Sequence, residues 1–153
     1  MHSAAWRVGL AAMSANTASR HVLVVDDSEE ILRLLREALE DEGYRVTTSG
    51  DPVGAAEVAR IAPDAVVLDI LFGSEQRGLD LLRHLREAPA TAEIPVVLCS
   101  AAVEPIRRID KDLLGEATGL VLKPFGVEGL LAVVARVLAV RDGTPSAERG
   151  ERW

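Results

Sequence analysis

Short apolar runs alternate with amphipathic stretches between residue 21 and about residue 140 of this chain. Runs of four or five apolar residues are typical of buried strands in a parallel sheet, and the stretches between them have helical spacing. The pattern predicts five strands, at about 22–27, 44–48, 65–69, 95–99 and 119–122. It also predicts five helices, at about 29–42, 52–61, 78–88, 105–114 and 127–140.

The first and last predicted helices have clear apolar faces. Ser28 is the expected N-cap of the first helix, and Gly43 is expected to stop it. The predicted core stripe of that helix is Ile31, Leu34, Leu35, Ala38 and Leu39. The predicted core side of the last helix is Leu130, Leu131, Val134, Val137 and Leu138, and its opposite face is mostly Ala132, Ala135 and Ala139.

Residues suited to phosphoryl chemistry stand at the ends of four predicted strands. They are Asp26 with Asp27, then Asp69, Ser100 and Lys123. In an open parallel sheet, ligands bind beyond the carboxyl ends of the strands, where the strand order reverses. We therefore expect these side chains to face one crevice of a doubly wound α/β sheet.

The three aspartates need positive charge beside them once the sheet has formed. At an effective dielectric constant of about 20, their mutual repulsion costs a few kcal/mol. Mg²⁺ prefers oxygen ligands and is commonly held by one or two carboxylates together with a phosphate oxygen. One Mg²⁺ ion and Lys123 together neutralise the three carboxylates, and they can share the added charge of a phosphoryl group.

Four segments at these strand ends carry a resemblance to a known family. The segments are VLVVDD, VVLD, the Ser100–Ala101 pair and the Lys123–Pro124–Phe125 triplet. In this order and strand context they resemble the receiver domain of two-component response regulators, over residues 21 to about 140. The resemblance implies a flavodoxin-like sheet of five parallel strands, in the order 2-1-3-4-5, with helices on both faces.

The resemblance also implies a role for each matching residue. Asp69 would be the nucleophile that accepts a phosphoryl group from a phosphohistidine, on a sensor histidine kinase or a histidine phosphotransfer protein. Ser100 and Lys123 would each contact a phosphoryl oxygen. The implied Mg²⁺ ligands are the carboxylates of Asp26, Asp27 and Asp69 and the backbone carbonyl of Leu71.

The chain departs from the family pattern at two places. Leu120 replaces the aromatic residue that usually stands three positions before the lysine and turns inward when the switch hydroxyl, here Ser100, moves. The loop after Asp69 reaches Gly78 one residue later than usual. A receiver-like interaction or dimerisation module that is not phosphorylated therefore remains the alternative to a phosphorylated regulator. Under neither interpretation do we expect an enzyme. A phosphorylated domain would act only in its own phosphotransfer and autodephosphorylation.

Length and composition limit the remaining possibilities. The 153 residues predict one domain at 20–140, with disordered extensions at 1–19 and 141–153. The formal net charge of −7 provides no basic stripe for nucleic acid. No apolar segment suggests export or a membrane span, so a cytoplasmic location is expected. Cys99 lies within an apolar run and is interpreted as a buried small hydrophobe.

The expected output is a contact with another protein. About a dozen polar residues follow the last predicted helix, which is too few for an effector domain. The chain is therefore read as a stand-alone regulator with a downstream protein target. A homodimer through the fourth predicted helix, the fifth strand and the last helix is one form that this contact could take.

Overall fold

A computed structural model describes residues 20–51, 53–70, 77–100, 118–123 and 126–143, with Ser100 and Arg77 described by their backbone alone. Five strands form one parallel sheet in the order β2-β1-β3-β4-β5, which confirms the predicted fold class. The strands are β1 His21–Val25, β2 Arg45–Ser49, β3 Ala65–Asp69, β4 Val96–Ser100 and β5 Thr118–Leu122. The helices in the described residues are α1 Glu29–Asp41, α2 Ala55–Ile61, α3 Arg77–Glu87 and α4 Val127–Arg141.

The element boundaries differ from the predicted ones by a few residues. Tyr44 donates its backbone N–H to the carbonyl of Leu39, so it closes α1 and β2 begins one residue later than predicted. Helix α2 begins at Ala55 rather than at residue 52, after Gly54 as N-cap. The fourth predicted helix, 105–114, lies outside the described residues.

Each face of the sheet carries its own apolar core. On one face α1 and α4 pack against the sheet, and on the other face α2 and α3 do. Successive residues of a strand point to opposite faces, so each strand contributes to both cores. The α1/α4 core includes Val24, Val67, Cys99 and Val121, and the α2/α3 core includes Leu23, Leu68, Leu82 and Leu98.

The prediction that Leu34 belongs to the core stripe of α1 is wrong. Leu34 is 44% exposed, whereas Leu35 and Leu39 are buried. These two are four residues apart and lie on one side of the helix, whereas Leu34 is rotated by about 100° from Leu35. The predicted core side of α4 is confirmed for Leu130, Val134, Val137 and Leu138, and Leu131 packs half-buried against the same core.

Ion pairs and hydrogen bonds of charged residues connect the starts of β1 and β3 to the end of α4, at the amino-terminal edge of the sheet. Arg20, just before β1, forms an ion pair with Asp142, just after α4. Arg141 Nη1 donates to the backbone carbonyl of Asp64 at 2.8 Å, and lies 3.7 Å from the carboxylate of the same residue. Asp64 in turn accepts the backbone N–H of His21 at 2.7 Å. We call these five residues the terminal clamp, because they join the starts of β1 and β3 to the end of α4.

Within the described part of the chain, no helix combines the length and the apolar character that a membrane span requires. The last helix ends at Arg141, one residue beyond its predicted end. The predicted domain boundaries and the disorder of both extensions stay predictions.

Candidate functional site

The strand register brings three of the predicted site residues to one side of the sheet. Val25 pairs with Leu68, so Asp26 and Asp69, the next residues along, lie side by side at the carboxyl edge. Asp69 pairs with Cys99, and Cys99 with Val121, two residues before Lys123. Because side chains alternate along a strand, Asp26 and Asp69 continue the face that α1 and α4 cover.

Lys123 pairs with two buried carboxylates. Its Nζ lies 3.1 Å from Asp26 Oδ2 and 3.5 Å from Asp69 Oδ2. Asp26 and Asp69 are only 3% and 6% exposed. Burial lowers the pKa of Lys123, but the charges of Asp26 and Asp69 and the hydrogen bond to Asp26 outweigh it, so the net pKa is raised. The lysine therefore remains a cation at the edge of the carboxylate group.

The turn after β1 fixes the orientation of Asp26. Its Oδ1 accepts the backbone N–H of Ser28 at 2.9 Å, and its own N–H donates to the carbonyl of Ser49 at 3.1 Å. Ser28 caps α1 as predicted, because its Oγ accepts the N–H of Ile31 at 3.2 Å. One carboxylate thus joins the start of α1 to Lys123.

The aspartates have the composition and spacing of a Mg²⁺ site. Asp26, Asp27 and Asp69 each offer one carboxylate oxygen, and these oxygens all lie within 4.8 Å of one another. All three donors are hard oxygens, which Mg²⁺ prefers, and the exposed Asp27 leaves the solvent side open for the waters that the ion keeps. In the part of the chain that the structure describes, Lys123 forms ion pairs with two of these carboxylates, and a dication would add the charge that balances all three.

Cys99 is buried beside this group. Burial raises the pKa of its thiol to about 12, a change that Lys123 opposes and the charges of Asp26 and Asp69 reinforce. The thiol therefore stays protonated at neutral pH. This confirms its interpretation as a buried small hydrophobe and places it next to Asp69 in the neighbouring strand.

The other predicted site residues are described only in part. The backbone of Ser100 pairs with Leu122, the residue before Lys123, but the side chain of Ser100 lies outside the described residues. Leu71 lies outside them as well. Leu120 is half-buried and packs against the α2/α3 core, on the face opposite that of Asp26 and Asp69. The roles of Ser100, Leu71 and Leu120 therefore stay predictions.

Sequence reasoning missed one residue that touches the site. It used Gly78 only to mark the end of a loop and the start of the next helix, whereas the structure packs Gly78 against the backbone of Asp69 and Ile70. A glycine in the first turn of a helix is a weak signal of close backbone approach, and it does not say which backbone approaches.

Comparisons with known proteins agree with this arrangement. A family model described as the response regulator receiver domain matches residues 22–135. The nitrogen assimilation regulatory protein NtrX of Azorhizobium caulinodans is 39% identical over 126 residues, which cover 76% of this chain and 26% of NtrX. The probable transcriptional regulatory protein TcrX of Mycobacterium tuberculosis is 37% identical over 131 residues, which cover 84% of this chain and 53% of TcrX. The chain thus spans about half or less of the length of these relatives.

Solved structures match over most of their length. The chemotaxis response regulator CheY4 of Vibrio cholerae is 27% identical, with a TM-score of 0.62 over 77% of this chain and 98% of that one. A response regulator receiver protein from Sinorhizobium medicae is 28% identical, with a TM-score of 0.65 over 80% of this chain and 96% of that one. The family match, the sheet order and the acidic group agree, and the chain belongs to the receiver domain family of two-component response regulators, in which phosphorylation on aspartate and Mg²⁺ binding are general features.

Proposed function

We propose that Asp69 accepts a phosphoryl group from a phosphohistidine, and that the phosphorylated protein signals through a changed contact with another protein. The observation that carries this proposal is the position of the Asp69 carboxylate. It lies 3.5 Å from the Lys123 ammonium and forms one acidic group with Asp26 and Asp27. A nucleophile, a cation and two further oxygen donors thus converge at the carboxyl edge of the sheet, where ligands of open parallel sheets bind.

The transfer is a displacement at phosphorus. An oxygen of the Asp69 carboxylate attacks the phosphorus, a P–O bond forms and the P–N bond to the donor histidine breaks. The bonding electron pair returns to the imidazole nitrogen, and the product is an aspartyl phosphate. The attacking group is a carboxylate that pairs with the Lys123 ammonium, so the step as written transfers no proton.

The neighbouring residues position and neutralise the phosphoryl group. Lys123 Nζ donates to one phosphoryl oxygen, and the hydroxyl of Ser100 donates to another. Asp26, Asp27 and Asp69 would hold Mg²⁺, with the carbonyl of Leu71 as the further ligand that the family resemblance implies. When bound there, the ion would supply positive charge to the phosphoryl oxygens beside the carboxylates. Because Asp26 is hydrogen-bonded to the Ser28 backbone and to Lys123, these two charged groups are in place before the donor arrives.

The partners follow from the chemistry of the site. A phosphohistidine donor is a sensor histidine kinase or a histidine phosphotransfer protein, the classes of partner that receiver domains use. We propose that the output is a protein contact and not direct nucleic-acid binding, in line with the formal net charge of −7. The surface of α4 that carries the exposed Ala132 and Ala135 is our choice for part of this contact.

Intact mass spectrometry after incubation with acetyl phosphate and Mg²⁺ tests the proposal. The wild-type protein should gain the mass of one phosphoryl group, and this gain should disappear without Mg²⁺. The Asp69→Asn variant should gain nothing, because its amide lacks the nucleophilic oxygen. Asp51→Asn is the matched control, since Asp51 is an exposed aspartate that follows β2 at the same edge of the sheet. It should be modified like the wild type.

A wild-type protein that is folded and gains no phosphoryl group would contradict the proposal. The same result would favour the alternative of an interaction module that keeps the fold without the chemistry. Equal modification of the wild type and Asp69→Asn would instead place the acceptor at another residue.

A further inference from the structure

Helix α3 begins in direct contact with the end of β3. A Cβ atom placed on Gly78 would lie 2.1 Å from the carbonyl oxygen of Asp69 and 2.6 Å from the Cα of Ile70. Ordinary contacts of carbon with other heavy atoms are about 3.5–4.0 Å. The atoms in the way belong to the main chain, so they cannot turn aside as a side chain could. Position 78 therefore accepts only glycine without a shift of the backbone.

Hydrogen bonds hold this contact from both sides. Gly78 donates its N–H to the carbonyl of Ile70 at 3.1 Å, and Ile70 donates its N–H to the carbonyl of Cys99 at 2.9 Å. The end of β3 is thus enclosed between α3 and β4. A displacement of Gly78 is transmitted to the residue that follows Asp69 directly.

The helix has little freedom to move away. Leu79, Leu82 and Leu85 of α3 are buried in the α2/α3 core. At the other end of the helix, Arg86 donates to the carbonyl of Ile94 at 2.7 Å and to Thr118 Oγ1 at 3.0 Å. Because α3 is held at these points, strain from an added side chain at position 78 also falls on the end of β3.

We propose that Gly78 is a positioning residue for phosphoryl acceptance: its missing side chain lets α3 set the place of the Asp69 backbone, and thereby of the Asp69 carboxylate. The inference rests on the proposed role of Asp69 as the phosphoacceptor. Any side chain at position 78 moves this carboxylate relative to Lys123 and to the carboxylates of Asp26 and Asp27.

The variant Gly78→Ala tests the inference. Its rate of phosphorylation by acetyl phosphate should fall by about 10- to 100-fold, since a displacement of about 1 Å in a reacting group can cost about 100-fold. Its affinity for Mg²⁺ alone, measured by isothermal titration calorimetry, should fall by about tenfold. Both measurements are made at a temperature at which circular dichroism shows every variant to be folded.

Two other glycines provide matched controls. Gly129 in α4 has no atom within 4 Å of an added Cβ, so Gly129→Ala controls for the substitution itself. An added Cβ at Gly119 would lie 2.4 Å from Val133 Cγ1, a side-chain atom. Gly119→Ala therefore controls for steric overlap at a distance from Asp69. It should lower the melting temperature and leave the phosphorylation rate and the Mg²⁺ affinity of the folded protein close to wild type.

The outcomes separate this inference from the proposed function. A wild-type protein that takes no phosphoryl group rejects the role of Asp69, whatever Gly78→Ala does. A wild type that is phosphorylated, beside a folded Gly78→Ala that matches it in rate and in Mg²⁺ affinity, overturns the inference alone. A Gly78→Ala that does not fold even in sucrose, which favours compact states, also overturns it, because the end of β3 then does not yield.

Discussion

Two titratable residues at opposite edges of the sheet show how single side chains respond to their surroundings. At the carboxyl edge, the pKa of Lys123 is raised, because Asp26 and Asp69 outweigh the effect of burial. At the amino-terminal edge, the pKa of His21 is lowered, because burial and the charge of Arg45 outweigh the opposing charge of Asp64. The sheet thus keeps Lys123 charged and favours neutral His21.

His21 should make stability depend on pH. Its Nε2 lies 2.7 Å from Thr47 Oγ1 in the folded protein, where its pKa is lowered, whereas the unfolded chain has the ordinary value of about 6.5. As pH falls below about 6.5, the unfolded chain binds the proton first, so the free energy of unfolding decreases until the folded pKa is reached. Urea unfolding between about pH 7.5 and about pH 5, a range that spans the ordinary histidine pKa, should show a smaller decrease in the free energy of unfolding for His21→Gln than for wild type.

The control for this prediction is the exposed histidine of α3, His84. The His84→Gln variant removes a histidine without touching β1 or β2. If His21→Gln and wild type lose the same free energy of unfolding over this pH range, the lowered pKa of His21 does not act on stability.

At the scale of elements, local pattern predicted most of the fold. Apolar runs located β1, β3, β4 and β5, because a buried parallel strand must be apolar on both faces, whereas the edge strand β2 is mostly polar and was predicted as the segment that follows Gly43. Contacts between distant elements had no such signal. Arg20 pairs with Asp142, which lies 122 positions away in the chain, and nothing in the sequence around either residue indicates which partner it has. The exposure of Leu34 was missed because helical spacing shows which residues share one side of the helix, but it does not show how much of that side the core covers.

The terminal clamp should stabilise the end of α4. The Arg20 side chain is 16% exposed and that of its partner Asp142 is 41% exposed, so the pair is only partly screened by water. Arg20→Gln and Asp142→Asn should each lower the free energy of unfolding. A double-mutant cycle should give a coupling energy of about 0.5–1 kcal/mol, smaller at high salt.

Exchanging the two charges supplies the control. Arg20→Asp combined with Asp142→Arg should recover part of the stability that either reversal alone removes. If the two single substitutions prove strictly additive in urea unfolding, the ion pair makes no contribution.

At the scale of the whole molecule, the sequence predicted which charged residues lie together at the carboxyl edge of the sheet, but it did not predict the packing around them. Strand ends and charge placed Asp26, Asp27, Asp69 and Lys123 together, and the structure confirms their convergence. The position of Gly78 could not be predicted, because close approach of two backbones depends on how α3 packs over the sheet. The same limit applies to Cys99, whose burial was predicted and whose position beside the acidic group was not.

Phosphorylation should change the assembly state if α4 forms the output surface. Sedimentation velocity with Mg²⁺ and beryllofluoride, a phosphoryl mimic, should show a dimer where the untreated protein is a monomer. Ala135→Glu places a charge on the exposed face of α4 and should prevent the change. Arg83→Glu, on the exposed side of α3, is the control that should still dimerise. The same monomer mass with and without beryllofluoride would contradict the prediction of a homodimer.

Arg20 and Asp142 meet on the far side of the sheet from Asp69. A five-residue strand is about 17 Å long, so residues 20 and 143, beyond which a dye, an affinity handle or a further domain would be joined, lie about that far from the acidic group. The start of β1 and the end of α4 therefore do not compete with a phosphohistidine donor for the surface around Asp69. A structural change that begins at Asp69 and reaches residue 20 or residue 143 must therefore pass along the strands or along α4.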